Sequence, residues 1–166
     1  MKTYHAVFLS PVGLIQLRGC ATALTGVFME EHRHLPALPV DSVEDRAPFR
    51  EAWRQMEEYF AGARRDFSLA TKATGSLFSE RVWQELRLIP YGETATYAEI
   101  AQRIGNPRAM RAVGLANGRN PISIVVPCHR VIGANGTLTG YGGGLERKRF
   151  LLGLEANAIC PSEFAS

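Results

Sequence analysis

Cysteine is scarce in this chain: three among 166 residues, Cys20, Cys128 and Cys160. They are odd in number, far apart and never arranged as Cys-x-x-Cys. That excludes a disulfide framework and suits a reducing compartment. Long apolar runs are missing too. No stretch reaches the roughly 18 residues needed to cross a bilayer, so no membrane partner is expected. The opening "MKTYHAVFLSPVGLIQL" lacks the apolar region and cleavage site of a signal peptide, which predicts a cytoplasmic protein. Internal repeats and low-complexity tracts are absent. Cys20 with His5, His32 and His34 has no zinc-ligand spacing, so these read as scattered surface residues and no metal is expected. Nor is there a strong charge of one sign. A net charge of +3 and a pI near 8.9 admit a nucleic-acid partner without requiring one.

What is present is a folded composition, 46% hydrophobic and 21% charged, in one domain of ordinary size or a small domain leaning on a second. The first third reads as strands. "TYHAVFLS", "GLIQLRG" and "LTGVFME" are short, partly alternating and rich in β-branched or aromatic residues, with "SPVG" as the first turn. "HRHLPALPVDSVEDRAP" reads as a surface loop. "FREAWRQMEEYFAG" then places Phe49, Trp53, Met56, Tyr59 and Phe60 at helical spacing and ends at Gly62. "RRDFSLAT" is expected to be one more strand.

From residue 75 the pattern turns helical. "SLFSERVWQELRLIPYG" puts Phe78, Val82, Trp83, Leu86 and Ile89 on one face, stopped by Pro90 and Gly92. "TYAEIAQRIG" is a second helix, with Thr96 and Glu99 forming a capping box. "NPRAMRAVGLANGRNP" is a third, with Pro107 near its first turn. The pair makes a helix-turn-helix pattern. A glycine-rich loop and a last helix, "GTLTGYGGGLERKRFLLGLEA", complete the chain. The expected fold is α+β: a small strand-rich domain over residues 1–74, then a mainly helical domain over 75–166.

Two features invite a chemical reading. The third helix is mostly small, whereas helices that read the major groove carry Asn, Gln and Arg; an ordinary αα-corner explains it as well. Cys128, His129 and Arg130 follow "ISIVV", at the end of an expected buried strand. A reactive cysteine needs its thiolate supported by a neighbouring base or cation. Residues adjacent on a strand face opposite ways, so a bridging water or a turn would have to link His129 to Cys128. A carboxylate would orient the imidazole, and Glu155 is one candidate among sixteen acidic residues. A cysteine that merely packs is the competing reading. "GTLTGYGGGLERK" matches neither the dinucleotide fingerprint nor the P-loop, and its glycines suit a turn or close backbone approach to a flat ligand. Cys160 reads as incidental.

Taken together, "IPYGETATYAEIA", "RAVGLANGRNPISIVVPCHRVIG" and "GTLTGYGGGLERKRFLLGLE" closely resemble the O6-alkylguanine-DNA alkyltransferases, the methylated-DNA–protein-cysteine methyltransferases. The match is dense from about Phe78 to Glu155; in the first third only "SPVGLIQL" and "EYFAG" correspond. The resemblance implies direct repair of O6-alkylguanine, and of O4-alkylthymine, by one irreversible transfer to Cys128. Flipping the nucleotide out of the duplex makes the alkylated oxygen reachable. The helix-turn-helix would enter the minor groove of double-stranded DNA, with Ala109, Ala112 and Gly114 as its small contacts and Arg111 filling the base stack. Asn120 corresponds to an asparagine that stabilises the turn between recognition helix and active site. Tyr97 corresponds to a tyrosine that bonds ring nitrogen 3 of guanine. His129, Glu155 and a water correspond to the network that draws the proton from Cys128. Val131, Tyr141 and Gly142 fall at the base pocket. Gly142 stands where some relatives have serine, leaving only its backbone amide for the guanine oxygen. Zinc-binding relatives share only Cys20 of their pattern, and a non-transferring branch has tryptophan in place of Cys128. No cofactor is implied, the protein would act as a monomer in solution with cooperativity on DNA, and a phosphotriester-repair regulator role is not expected. A helix-turn-helix regulator with a structural cysteine, or a cysteine hydrolase, would be the rival classes.

Overall fold

The computed structural model describes residues 1–157; Cys160 lies outside the described residues. Strands β1 (Tyr4–Ser10), β2 (Gly13–Gly19) and β3 (Leu24–Met29) form an antiparallel meander, and the two-residue β4 (Val43–Glu44) adds to β1 in parallel, giving the order β3-β2-β1-β4. The first turn is held by the Ser10 hydroxyl, which donates to the Gly13 carbonyl at 2.6 Å and accepts from the Val12 amide at 3.1 Å. Gly13, at φ +94°, takes the conformation that costs other residues most. Alternation sends Ala6, Phe8, Ile15 and Leu17 inward. Helix α1 (Arg50–Phe60) covers that face with Ala52, Met56, Tyr59 and Phe60, and Trp53 stacks on Phe8 at 4.4 Å. Each such large side chain removed from water contributes about 1.5–3 kcal/mol.

The expected strand at "RRDFSLAT" is not one. It makes a single bridge, Thr71 to Leu24. The buried Gln55 side chain takes the place of a neighbouring strand, accepting from the Ser68 amide at 2.8 Å and donating to its carbonyl at 3.1 Å.

The second half comprises α2 (Leu77–Leu86), the short parallel pair β5 (Ala95–Thr96) and β6 (Val131–Ile132), α3 (Tyr97–Arg103), α4 (Met110–Gly118) and α5 (Leu145–Glu155). The Thr96–Glu99 capping box forms as expected. The third helix starts later than expected. Asn106 and Ala109 close a turn that contains Pro107, and the helix runs only from Met110. Trp83 on α2 donates to the Ala116 carbonyl at 2.8 Å, fastening α2 to α4. The two halves share backbone hydrogen bonds, Val27 N–H to Pro121 and Ser123 N–H to Val27, and one cluster of buried side chains runs through both. No helix among the described residues is long and apolar enough to cross a membrane.

Candidate active site

The segment expected to be a strand before Cys128 is a tight turn. Ile122 bridges Val27, then Ile124 takes φ +73° and the Val126 amide returns to the Ile122 carbonyl at 2.9 Å. A β-branched residue in that region is strained by about 1–3 kcal/mol and persists only where its surroundings fix it. Asn120 does so: its Nδ2 donates to the Val126 carbonyl at 2.9 Å and its Oδ1 accepts from the Ile122 amide at 3.0 Å. Asn117 on α4 adds a bond from its Nδ2 to the Cys128 carbonyl at 3.3 Å. Cys128, His129 and Arg130 therefore form a buried 3-10 turn rather than a strand end.

His129 is fully buried, and its Nε2 lies 2.6 Å from Glu155 Oε2 at the end of α5. The same oxygen accepts from the Tyr59 hydroxyl of α1 at 2.6 Å. Arg130 donates to both Glu155 oxygens, from Nε at 2.8 Å and a terminal nitrogen at 3.1 Å, and its other terminal nitrogen reaches the Ile89 carbonyl. The Gly92 amide completes the set at 3.3 Å. Burial opposes ionisation of Glu155, but His129 and Arg130 outweigh it and hold the carboxyl well below the usual range. Burial, with Arg130 and Lys148 nearby, lowers His129, so the imidazole is neutral. A carboxylate can only accept, so Nε2 carries the proton and Nδ1 keeps its lone pair. Nδ1 is buried and has no partner among the described residues.

Burial pushes the Cys128 thiol up to about 11, with Asn120 and Lys148 pulling the other way. Lys148 is itself buried, which brings it down to about 8. Its Nζ donates to the Val131 carbonyl at 2.5 Å and to Thr139 at 2.9 Å. Tyr97 donates to the same Thr139 carbonyl at 3.0 Å and lies near enough to Cys128 to feel its charge. In front of Tyr97 opens a cavity of about 600 Å³, walled by Arg111, Gly114, Thr139 and Gly140 among others.

The chain carries two family signatures end to end. Residues 3–73 match the 6-O-methylguanine DNA methyltransferase ribonuclease-like domain, and residues 77–157 match the 6-O-methylguanine DNA methyltransferase DNA binding domain. The chain belongs to the 6-O-methylguanine DNA methyltransferase family. A methylated-DNA–protein-cysteine methyltransferase from Methanosarcina acetivorans is 53% identical over 154 residues, covering 93% of this chain and 99% of the relative. One from Mycobacterium tuberculosis is 51% identical over 146 residues, 88% of each. The crystal structure of Mycobacterium tuberculosis OGT in complex with DNA superposes with a TM-score of 0.93 at 46% identity, covering 97% of this chain and 98% of that one.

In this methyltransferase-family fold the expected residues fall into three groups. Cys128, His129, Glu155 and Asn120 are all buried in the site, and Tyr97 lines the cavity. Arg111 and Ala112 are exposed on α4, with Ala109 and Gly114 half-buried beside them. Val131, Tyr141 and Gly142 are buried behind the cavity wall that Thr139 and Gly140 form. Four participants had no role in the sequence reading: Tyr59, Asn117, Arg130 and Lys148. Lys148 had a visible signal, since it shares the inward face of α5 with Leu151, Leu154 and Glu155. Two charged residues on an apolar stripe mark a polar site under a helix. Met110 and Leu115, both exposed, rim the cavity next to Arg111, so the helix is less uniformly small than its alanines suggest.

Proposed function

We infer that this protein repairs O6-alkylguanine in DNA by transferring the alkyl group to its own Cys128. The observation that carries the reading is the arrangement of His129, the residue after Cys128 in the chain: Nε2 is committed to Glu155, and Nδ1 is buried with no partner among the described residues. With the thiol at about 11, unassisted ionisation at pH 7 costs roughly 5 kcal/mol. A base that takes the proton as the alkyl group arrives removes much of that barrier. His129 Nδ1 receives it through a water. The sulfur–carbon bond then forms as the carbon–oxygen bond breaks, and guanine leaves with the electron pair. Tyr97 hydrogen-bonds ring nitrogen 3, spreading the charge that develops on the leaving base.

The cavity in front of Tyr97 is of a size to take a flipped base. Helix α4 enters the minor groove, its small residues allowing close backbone approach and Arg111 holding the vacated place in the stack. The protein acts as a monomer, and a cytoplasmic setting keeps Cys128 reduced. The test is intact-protein mass after mixing with a duplex that contains one O6-methylguanine. One methyl gained on Cys128, mole for mole, is expected, with Cys128→Ser inert. Transfer by Cys128→Ser, or many turnovers per molecule, would overturn the reading.

A further inference from the structure

His32 belongs to the segment after β3, yet it is buried against a loop 110 residues further along. A Cβ added to Gly142 would lie 2.6 Å from both Cε1 and Nε2 of its ring. Gly142 does not have a positive φ, so its backbone alone would accept any residue. Only space forbids a side chain there: the imidazole occupies most of it, and the Gly118 carbonyl oxygen would stand 3.3 Å from the added carbon. Neighbouring contacts point the same way. The Arg33 amide donates to the Gly142 carbonyl at 2.9 Å, and a Cβ on Gly143 would meet the Met29 sulfur at 2.6 Å. Arg147 ties the Gly143 carbonyl to those of Val12 and Glu30. His32 itself is kept in place by the ring of Phe28, edge-on at 5.3 Å.

What this brace holds is a wall of the reaction site. Thr139 and Gly140 line the cavity, and Tyr141 lies close enough to Cys128 to feel its charge. Gly142 is buried, and its N–H has no acceptor among the described residues. A buried donor left unsatisfied costs about 1–3 kcal/mol, which a ligand oxygen would recover.

We propose that His32 is a positioning residue for base binding: its ring stands in for the missing side chain of residue 142 and fixes the Tyr141–Gly143 backbone, so that the Gly142 amide meets an oxygen of the bound base. The proposal rests on the alkyl-transfer reading above. Burial lowers His32 to about 4, so the ring is an uncharged brace at working pH.

The experiment is a double-mutant cycle on the full chain with His32→Ala, Gly142→Ala and both together, and free O6-benzylguanine as the probe. Benzylation of Cys128 is followed by intact mass across a concentration series, and iodoacetamide reports the thiol alone. Each single variant should raise the half-saturating concentration about tenfold, because one loses the brace and the other collides with it. Iodoacetamide reactivity should stay within about twofold, since Cys128, His129 and Glu155 are untouched, whereas the maximal benzylation rate falls too, because the oxygen met by the Gly142 amide is the one that leaves. The double variant should return to within about threefold of wild type, the new methyl filling the vacated space. Losses that multiply in the double variant would overturn the pairing, as would an unchanged half-saturation in His32→Ala. If wild type took no methyl group from an O6-methylguanine duplex, the alkyl-transfer reading would fail instead. The pairing would then be judged by thermal midpoints, where rescue in the double variant supports it and additive losses refute it.

Discussion

Five donor groups converge on the Glu155 carboxylate: Tyr59, His129, two nitrogens of Arg130 and the Gly92 amide. Two of its jobs can be separated by substitution. Glu155→Gln leaves Arg130 buried without its counter-charge, and breaking such a pair costs about 3–5 kcal/mol. It also withdraws the support proposed to make His129 a base, so alkylation should slow at neutral pH and its pH–rate profile should move upward, toward the intrinsic ionisation of a thiol held near 11. A lower melting point with an unmoved profile would reduce Glu155 to an anchor for α5. Tyr59→Phe makes the opposite electrostatic change. It removes a donor from the oxygen that His129 uses, so the imidazolium gains and the His129 pKa should rise from its depressed position, read by imidazole NMR. No rise would show that Tyr59 only packs. The chemistry of the residues singled out Cys128 and His129 without deciding between a reactive and a packing cysteine, and left Glu155 one candidate among sixteen acidic residues until the resemblance chose it. Tyr59 was not, because nothing in "EYFAG" distinguishes a tyrosine that fills a core from one whose hydroxyl ends on a carboxylate 96 residues away.

Among the elements, α4 is the one proposed to contact DNA. Arg111→Ala should slow repair in a duplex far more than reaction with free O6-benzylguanine, since a free base has no stack to be held out of. Equal losses on both substrates would make Arg111 structural. Strands β1 to β3 and the helices were readable because each has one buried face and a period that shows it. The errors cluster where side chains replace backbone partners. Gln55 satisfies Ser68 and makes a strand unnecessary there, and Asn120 stabilises a turn that the β-branched run "ISIVV" would not suggest. Local propensity carries no trace of a partner contributed from elsewhere in the chain.

For the molecule as a whole, reaction and stability are coupled through packing. Cys128 is 3% exposed, between a strained turn and the wall beneath the cavity. An alkyl group added there overfills a close-packed site, typically at about 1–3 kcal/mol, against a total of roughly 5–15 kcal/mol. The alkylated protein should melt below the free protein, and the benzylated form below the methylated one. A midpoint equal or higher after benzylation would refute the strain. The same burial acts before any lesion is met. Peroxide attacks thiolates, and this sulfur is a neutral thiol out of reach of solvent. Hydrogen peroxide should therefore oxidise Cys128 far more slowly than it oxidises Cys20, which is partly exposed; equal rates by peptide mass mapping would refute that. A reagent that can be used once gains most from a long shelf life, and here the lifetime in waiting is set by the depth at which the sulfur is kept.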